Sequence, residues 1–220
     1  MTPFFFGTVA GGVASGRVPV GNAAGDVISS WVNPTSLLGG TLATLVCAYL
    51  AAVFLTFDAA REGQPALASQ FRQRGLATST LTGVIALAGI GVLRADAPLL
   101  YSGLTGRALP LIVISAAGGL ASITLLWTRR YVAARAAAGL AVTAVLWGWA
   151  VGQYPWMLPG SLTIAEAAAA PATLTALAVS LLIGSLLVVP ALVWLYALFQ
   201  RTAHDPDDNP VPQTPEARPR

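Results

Sequence analysis

Charge is scarce in this chain. Only 10% of its 220 residues are Asp, Glu, Lys or Arg, against about 25% in a typical soluble domain, so a soluble fold does not fit. Lysine is absent: all twelve basic residues are Arg, which we read as codon bias in a GC-rich genome. Those arginines are scattered between apolar stretches, so the net charge of +3 is no sign of a nucleic-acid partner. The single cysteine, Cys47, can form no internal disulfide and reads as a small packing residue. The chain has no Cys pair, no HExxH, no phosphate-binding loop and no nucleophile elbow.

What the chain does have is long uncharged runs: 27–57, 75–93, 108–128, 136–165 and 167–200. A bilayer core ~30 Å thick needs ~20 apolar helical residues to cross, and each run has about that length or more. The expected fold is all-α, a polytopic transmembrane bundle with about five full spans near 35–57, 75–94, 108–128, 132–152 and 173–200. Phe4 to about Gly16 is short for a crossing, ~20 Å at 1.5 Å per residue. A signal peptide needs a basic leader, yet nothing basic precedes Arg17, so we read this stretch as the end of a membrane helix.

Loop charge sets the direction. Arg61, Arg72 and Arg74 in a 58–74 loop, Arg129, Arg130 and Arg135 in a 129–135 turn, and Arg201, Arg218 and Arg220 in the tail alternate with segments holding only Arg17, Arg94 and Arg107. Positive residues stay cytoplasmic, so the C-terminus is expected inside and the 17–33 and 153–171 loops outside. Residues 202–220, rich in Pro, Asp and Glu, are expected to form a disordered cytoplasmic tail.

Packing between spans should use small residues, because lipid supplies no hydrophobic drive between helices. Candidate stripes are Gly39, Ala43, Cys47 and Ala51; then Gly75, Ser79 and Gly83; then Gly118 and Ser122. Trp127 and Tyr131, and at the other end Trp147, Trp149, Tyr154 and Trp156, read as interfacial aromatic belts. Asn33-Pro34 should cap and open a span. Thr163-Ile-Ala-Glu166 fits a capping box, with helix through Ala170 and Pro171 ending that short helix and opening the next.

The search for chemistry yields little. Membrane haems are usually held by His or Met. The one histidine, His204, lies in the tail, and the only methionine besides Met1 is Met157, in an outer loop. The chain is therefore expected to ligate no haem by itself. No carboxylate lies near mid-bilayer, which counts against an ion-coupled carrier. Catalytic, cofactor-binding and metal-binding residues are expected to be none.

Several segments nonetheless resemble one family. They are Ser29-Ser-Trp-Val-Asn-Pro-Thr-Ser-Leu-Leu-Gly39, "AYLAAVFLTFDAAREG" followed by "FRQRGLA", "GVLRADAP", "GLTGRALPL", and Gln153-Tyr-Pro-Trp-Met-Leu-Pro159 followed by "SLTIAEAAAAPATL". Together, over about residues 3–201, they resemble subunit II of cytochrome bd quinol oxidase, closest to its actinobacterial branch. The resemblance implies a multi-pass protein of the bacterial plasma membrane. It would be a non-haem accessory partner of a haem-bearing subunit I, which holds haems b and d. Subunit I also carries quinol oxidation and oxygen reduction, so any quinone would bind to the complex.

In that family subunit II has two four-helix bundles and a peripheral helix. The resemblance places this chain at the second half. The expected layout is a partial helix at 1–17, a four-helix bundle at 33–152, an outer loop with a short helix at 153–171 and a peripheral helix at 172–201. A fragment, a misplaced start codon or a split gene would each explain such a chain. The other readings are a small carrier half-unit that dimerises around a midplane site, and a non-functional truncated product.

Overall fold

The computed structural model describes residues 1–21 and 25–202. The expected disordered tail, with His204, Arg218 and Arg220, therefore lies outside the described residues, apart from Thr202. Two units form, Met1–Ala167 and Ala168–Arg220.

The first unit opens with α1 (Thr2–Ala14), followed by α2 (Pro34–Arg61) and α3 (Pro65–Asp96). A short α4 (Pro98–Thr105) leads to α5 (Leu109–Trp127) and α6 (Tyr131–Gln153). A two-stranded antiparallel hairpin, β1 (Trp156–Leu158) and β2 (Leu162–Thr163), runs into α7 (Ile164–Ala167). The second unit holds α8 (Pro171–Thr202), with Pro190 inside it. Five helices, α2, α3, α5, α6 and α8, are long and apolar enough to cross a membrane, as the uncharged runs require.

Local chemistry sets several ends. Asn33 caps α2, its side chain accepting from Ser36 N at 2.9 Å, with Pro34 behind it. Pro is also found in the first turn of α1, α3, α4 and α5, where its missing N–H costs nothing. Thr163 and Glu166 form the reciprocal box: the carboxylate accepts from Thr163 N at 2.9 Å, and Glu166 N donates to the Thr163 hydroxyl at 3.3 Å.

The structure corrects four expectations. The 58–74 loop is only a tight turn at 62–64, because α3 begins at Pro65. Arg72 and Arg74 end the apolar run without ending the helix; at 32 residues, ~48 Å long, α3 outreaches the hydrocarbon. Helix α4 was not foreseen, being too short to show a period. The outer loop holds a hairpin as well as a helical turn, and that turn stops at Ala167, not Ala170.

Helices α2, α3, α5 and α6 pack in a ring, with α1 against α2 and α4 against α6. The common core is small: Tyr49, Val53, Leu126, Ala134 and Ala138. Large apolar side chains such as Leu87 (70% exposed) and Leu120 (66%) point outward instead. That inversion suits a bundle solvated by lipid.

Backbones meet through small residues, though only part of each stripe is used. A Cβ on Gly7 would run into the Gly39 carbonyl and Ala43, whereas Cys47 and Ala51, further down the same stripe, are exposed. Gly75 and Ser79 are buried, but Gly83 has nothing within 4 Å, and Gly89, against Leu38, makes the close approach. Gly118 and Ser122 both pack on α6, whose own buried stripe of Ala134, Ala138, Ala141, Gly148 and Gly152 escaped sequence reading.

These contacts rank two substitutions. Gly7→Leu overfills the α1–α2 contact and should cost about 1–3 kcal/mol. Gly83→Leu meets open space and should stay within about 0.5 kcal/mol of the parent. Thermal unfolding of the purified chain in detergent measures both; the reverse ranking would place α1 on another face of α2.

Candidate functional site: a polar clasp at one end of the bundle

Polar side chains gather where the C-terminal end of α1, the N-terminus of α2 and the C-terminus of α3 meet. Asp96, the last residue of α3, is the centre. One carboxylate oxygen accepts from Thr35 N at 3.0 Å and from Thr35 Oγ1 at 2.7 Å. The other pairs with the Arg17 guanidinium. Asn33 Nδ2 donates to Ser15 Oγ at 3.2 Å and to Ser30 O at 3.3 Å. Ser36 Oγ lies 2.8 Å from Thr8 O and 2.6 Å from Trp31 O. An apolar patch of Ala14, Ala97 and Leu100, with Leu93 and Leu104 against it, packs beside the clasp.

The clasp has a physical logic. The first N–H groups of a helix lack intrahelical partners and carry a partial positive charge. Asn33 satisfies Ser36 N and Asp96 satisfies Thr35 N, so the start of α2 is capped from its own chain and from α3. With donors on both oxygens, the Asp96 carboxylate is an anchor held as an acceptor.

The ion pair contributes less than the Thr35 bonds. Asp96 is 8% exposed at its side chain, whereas Arg17 is 44% exposed, so water screens the pair. In the sequence Arg17 reads only as a loop charge, and Asp96 only as part of the GVLRADAP segment. They stand 79 residues apart, and no local pattern joins them. Thr35 was missed, since one hydroxyl beside a cap carries no signal.

A second tie lies inside the bundle: Tyr49 donates to Ser122 Oγ at 2.6 Å, and Ser122 Oγ donates to Ala134 O at 3.2 Å, linking α2, α5 and α6. Outside the spans, Arg107 reaches Gly152 O at 3.3 Å and sits 5.8 Å from the Tyr154 ring centre. Trp156 borders a hollow of about 280 Å³ together with Leu99, Ser102 and Arg107. Among the described residues no group of three or more His, Cys, Asp or Glu comes together to hold a metal.

Five membrane-length helices, small-residue contacts and buried polar ties define a polytopic α-helical membrane protein. Residues 1–199 match the family model of cytochrome bd terminal oxidase subunit II, and the chain belongs to that family. The fold is similar to a chain in the structure of bd oxidase from Geobacillus thermodenitrificans, with a TM-score of 0.64 and 26% identity. That likeness covers 90% of this chain and 60% of the other. No curated protein matches.

Of the soft donors among the described residues, Met157, on β1, is 53% exposed, and Cys47 is exposed on α2.

Removing Asp96 strands two donors on Thr35, so Asp96→Ala should cost about 1–3 kcal/mol, while Arg17→Ala should cost no more than about 1 kcal/mol. Denaturant unfolding of both variants in detergent tests the order, and a larger Arg17 effect would make the ion pair the principal bond. Glu166 offers a pH test. The Thr163 N–H, then its hydroxyl, holds the Glu166 carboxyl below its usual range. A group with a depressed folded pKa stabilises at pH above its unfolded value, and that contribution is lost as pH falls through the folded value. The Thr163 amide resonance, followed downward in pH, should therefore move at lower pH than it would beside an unperturbed glutamate. A midpoint at the ordinary glutamate value would mean the box is open in solution.

Proposed function

We propose that this chain is a non-haem part of a bd-type quinol oxidase in a bacterial respiratory membrane. It would pack against a haem-bearing subunit that holds haems b and d, where quinol reduces oxygen to water. The observation that carries the reading is family membership over residues 1–199. The donor chemistry supports it: no described span offers a His or Met ligand. The bundle's part is then structural, a rigid helical wall for the partner, and no catalytic, cofactor or metal residue is assigned to it.

The layout follows the same reading: α1 as a short apolar helix, α2, α3, α5 and α6 as the bundle, the segment from the hairpin to α7 as an outer loop, and α8 as the peripheral helix. Orientation rests on arginine. Arg61, Arg72, Arg74, Arg129, Arg130 and Arg135 belong to one end of the helices, and Arg17, Arg94 and Arg107 to the other. The positive-inside rule puts the first group, and with it the C-terminus, in the cytoplasm.

The full chain, tagged and co-expressed with the haem-bearing subunit, should co-purify with haem visible in a reduced-minus-oxidised spectrum. Purified alone it should show none. Stoichiometric haem on the lone chain, or failure of the haem subunit to co-purify, would overturn the proposal.

A further inference from the structure

The bundle end away from the Asp96 clasp carries six arginines. Three of them have partners within the protein. Arg72 donates from Nε to Leu126 O at 2.9 Å and from Nη2 to Trp127 O at 3.2 Å, closing the end of α5. Arg74 lies 5.9 Å from the Phe71 ring centre, and Arg135 lies 4.2 Å from that of Phe57. The guanidinium groups of Arg61, Arg129 and Arg130 differ: among the described residues they make no hydrogen bond, ion pair or ring contact. The nearby carboxylates in sequence, Asp58 and Glu62, form no ion pair with them.

These three arginines line one open groove of about 470 Å³ between the end of α2 and the start of α6. Its remaining wall is apolar, including Phe57, Tyr131 and Val132. Three like charges held together without a counter-ion repel one another. Arg129 sits in the left-handed region, at φ 59°, which a side chain of its kind seldom adopts. The first turn of α6 also has no side-chain cap, so its N–H groups add positive potential at the same place.

We propose that this groove binds the phosphate headgroup of an anionic membrane phospholipid. The three guanidinium groups would take the phosphate oxygens by charge-assisted hydrogen bonds, and an acyl chain would follow the Phe57 and Val132 side toward the hydrocarbon. A ligand with an anionic head and an apolar tail matches both halves of the lining; a free anion matches one. The proposal rests on the membrane-spanning reading above, because only there does the groove lie at headgroup depth.

The test uses the full chain in nanodiscs of mixed phosphatidylglycerol and phosphatidylcholine, then native mass spectrometry of the lipid it retains. The parent should retain phosphatidylglycerol selectively. Combined Arg61→Gln, Arg129→Asn and Arg130→Gln should weaken that retention by at least about tenfold, since each juxtamembrane basic residue contributes roughly 1 kcal/mol near an anionic surface. The corresponding triple Lys variant keeps the charge and should retain lipid, which separates loss of the site from loss of folding. Arg94→Gln, at the other end, should change nothing.

Equal retention of phosphatidylcholine, an equal loss in Arg94→Gln, or displacement of the lipid by inorganic phosphate would each overturn the proposal. So would retention that vanishes when the haem-bearing subunit is present, since the groove would then be a protein contact. Co-purification of haem reports separately on the oxidase reading. Labelling of Thr128→Cys in a Cys47→Ser background, from either side of a vesicle, reports separately on topology.

Discussion

A helix in hydrocarbon gains almost nothing by turning Leu toward another helix in place of lipid. Every feature that holds this bundle together follows from that constraint. Close backbone approach supplies dispersion contacts where glycine removes the obstacle, as between Gly7 and Gly39 or between Gly103 and Gly152. Hydrogen bonds supply the direction that apolar packing lacks. Tyr49 to Ser122 to Ala134 fixes α2 against α5 and α6, and the Asp96 clasp fixes the entrance of α2 against α1 and α3. Few side chains are large and fully buried, because the bundle does not depend on a large apolar core.

The two ends of the bundle handle charge differently. At the clasp, Asp96 is matched by Arg17 and the Thr35 donors. At the other end, Arg72 spends its charge on the carbonyls that close α5 and Arg135 stacks on aromatic rings, while three further arginines face a groove without a carboxylate partner. The asymmetry is also what orients such a protein, since basic segments resist translocation.

The functional reading depends on the family more than on any reactive centre. The clasp satisfies its own donors and acceptors, and a satisfied carboxylate is an anchor. The internal hydroxyl chain ends on a backbone carbonyl.

The sequence alone determined the spans and the caps, because both are local. An uncharged run of sufficient length must be a helix in lipid, where every N–H needs an internal partner, and Asn33-Pro34 or Thr163-to-Glu166 closes its own bonds within three residues. The family, too, was legible from short motifs in order. The limits of α3 were misjudged since Arg72 and Arg74 end the apolar run, not the helix. What only the tertiary structure decided was which residues of each small stripe meet a neighbour, and which distant charges meet each other. Gly83 and Gly89 look alike in sequence, and the path of the adjacent helix chooses Gly89. Arg17 finds Asp96 across 79 residues, because the packing of three helices, and no feature of either segment, brings their ends together.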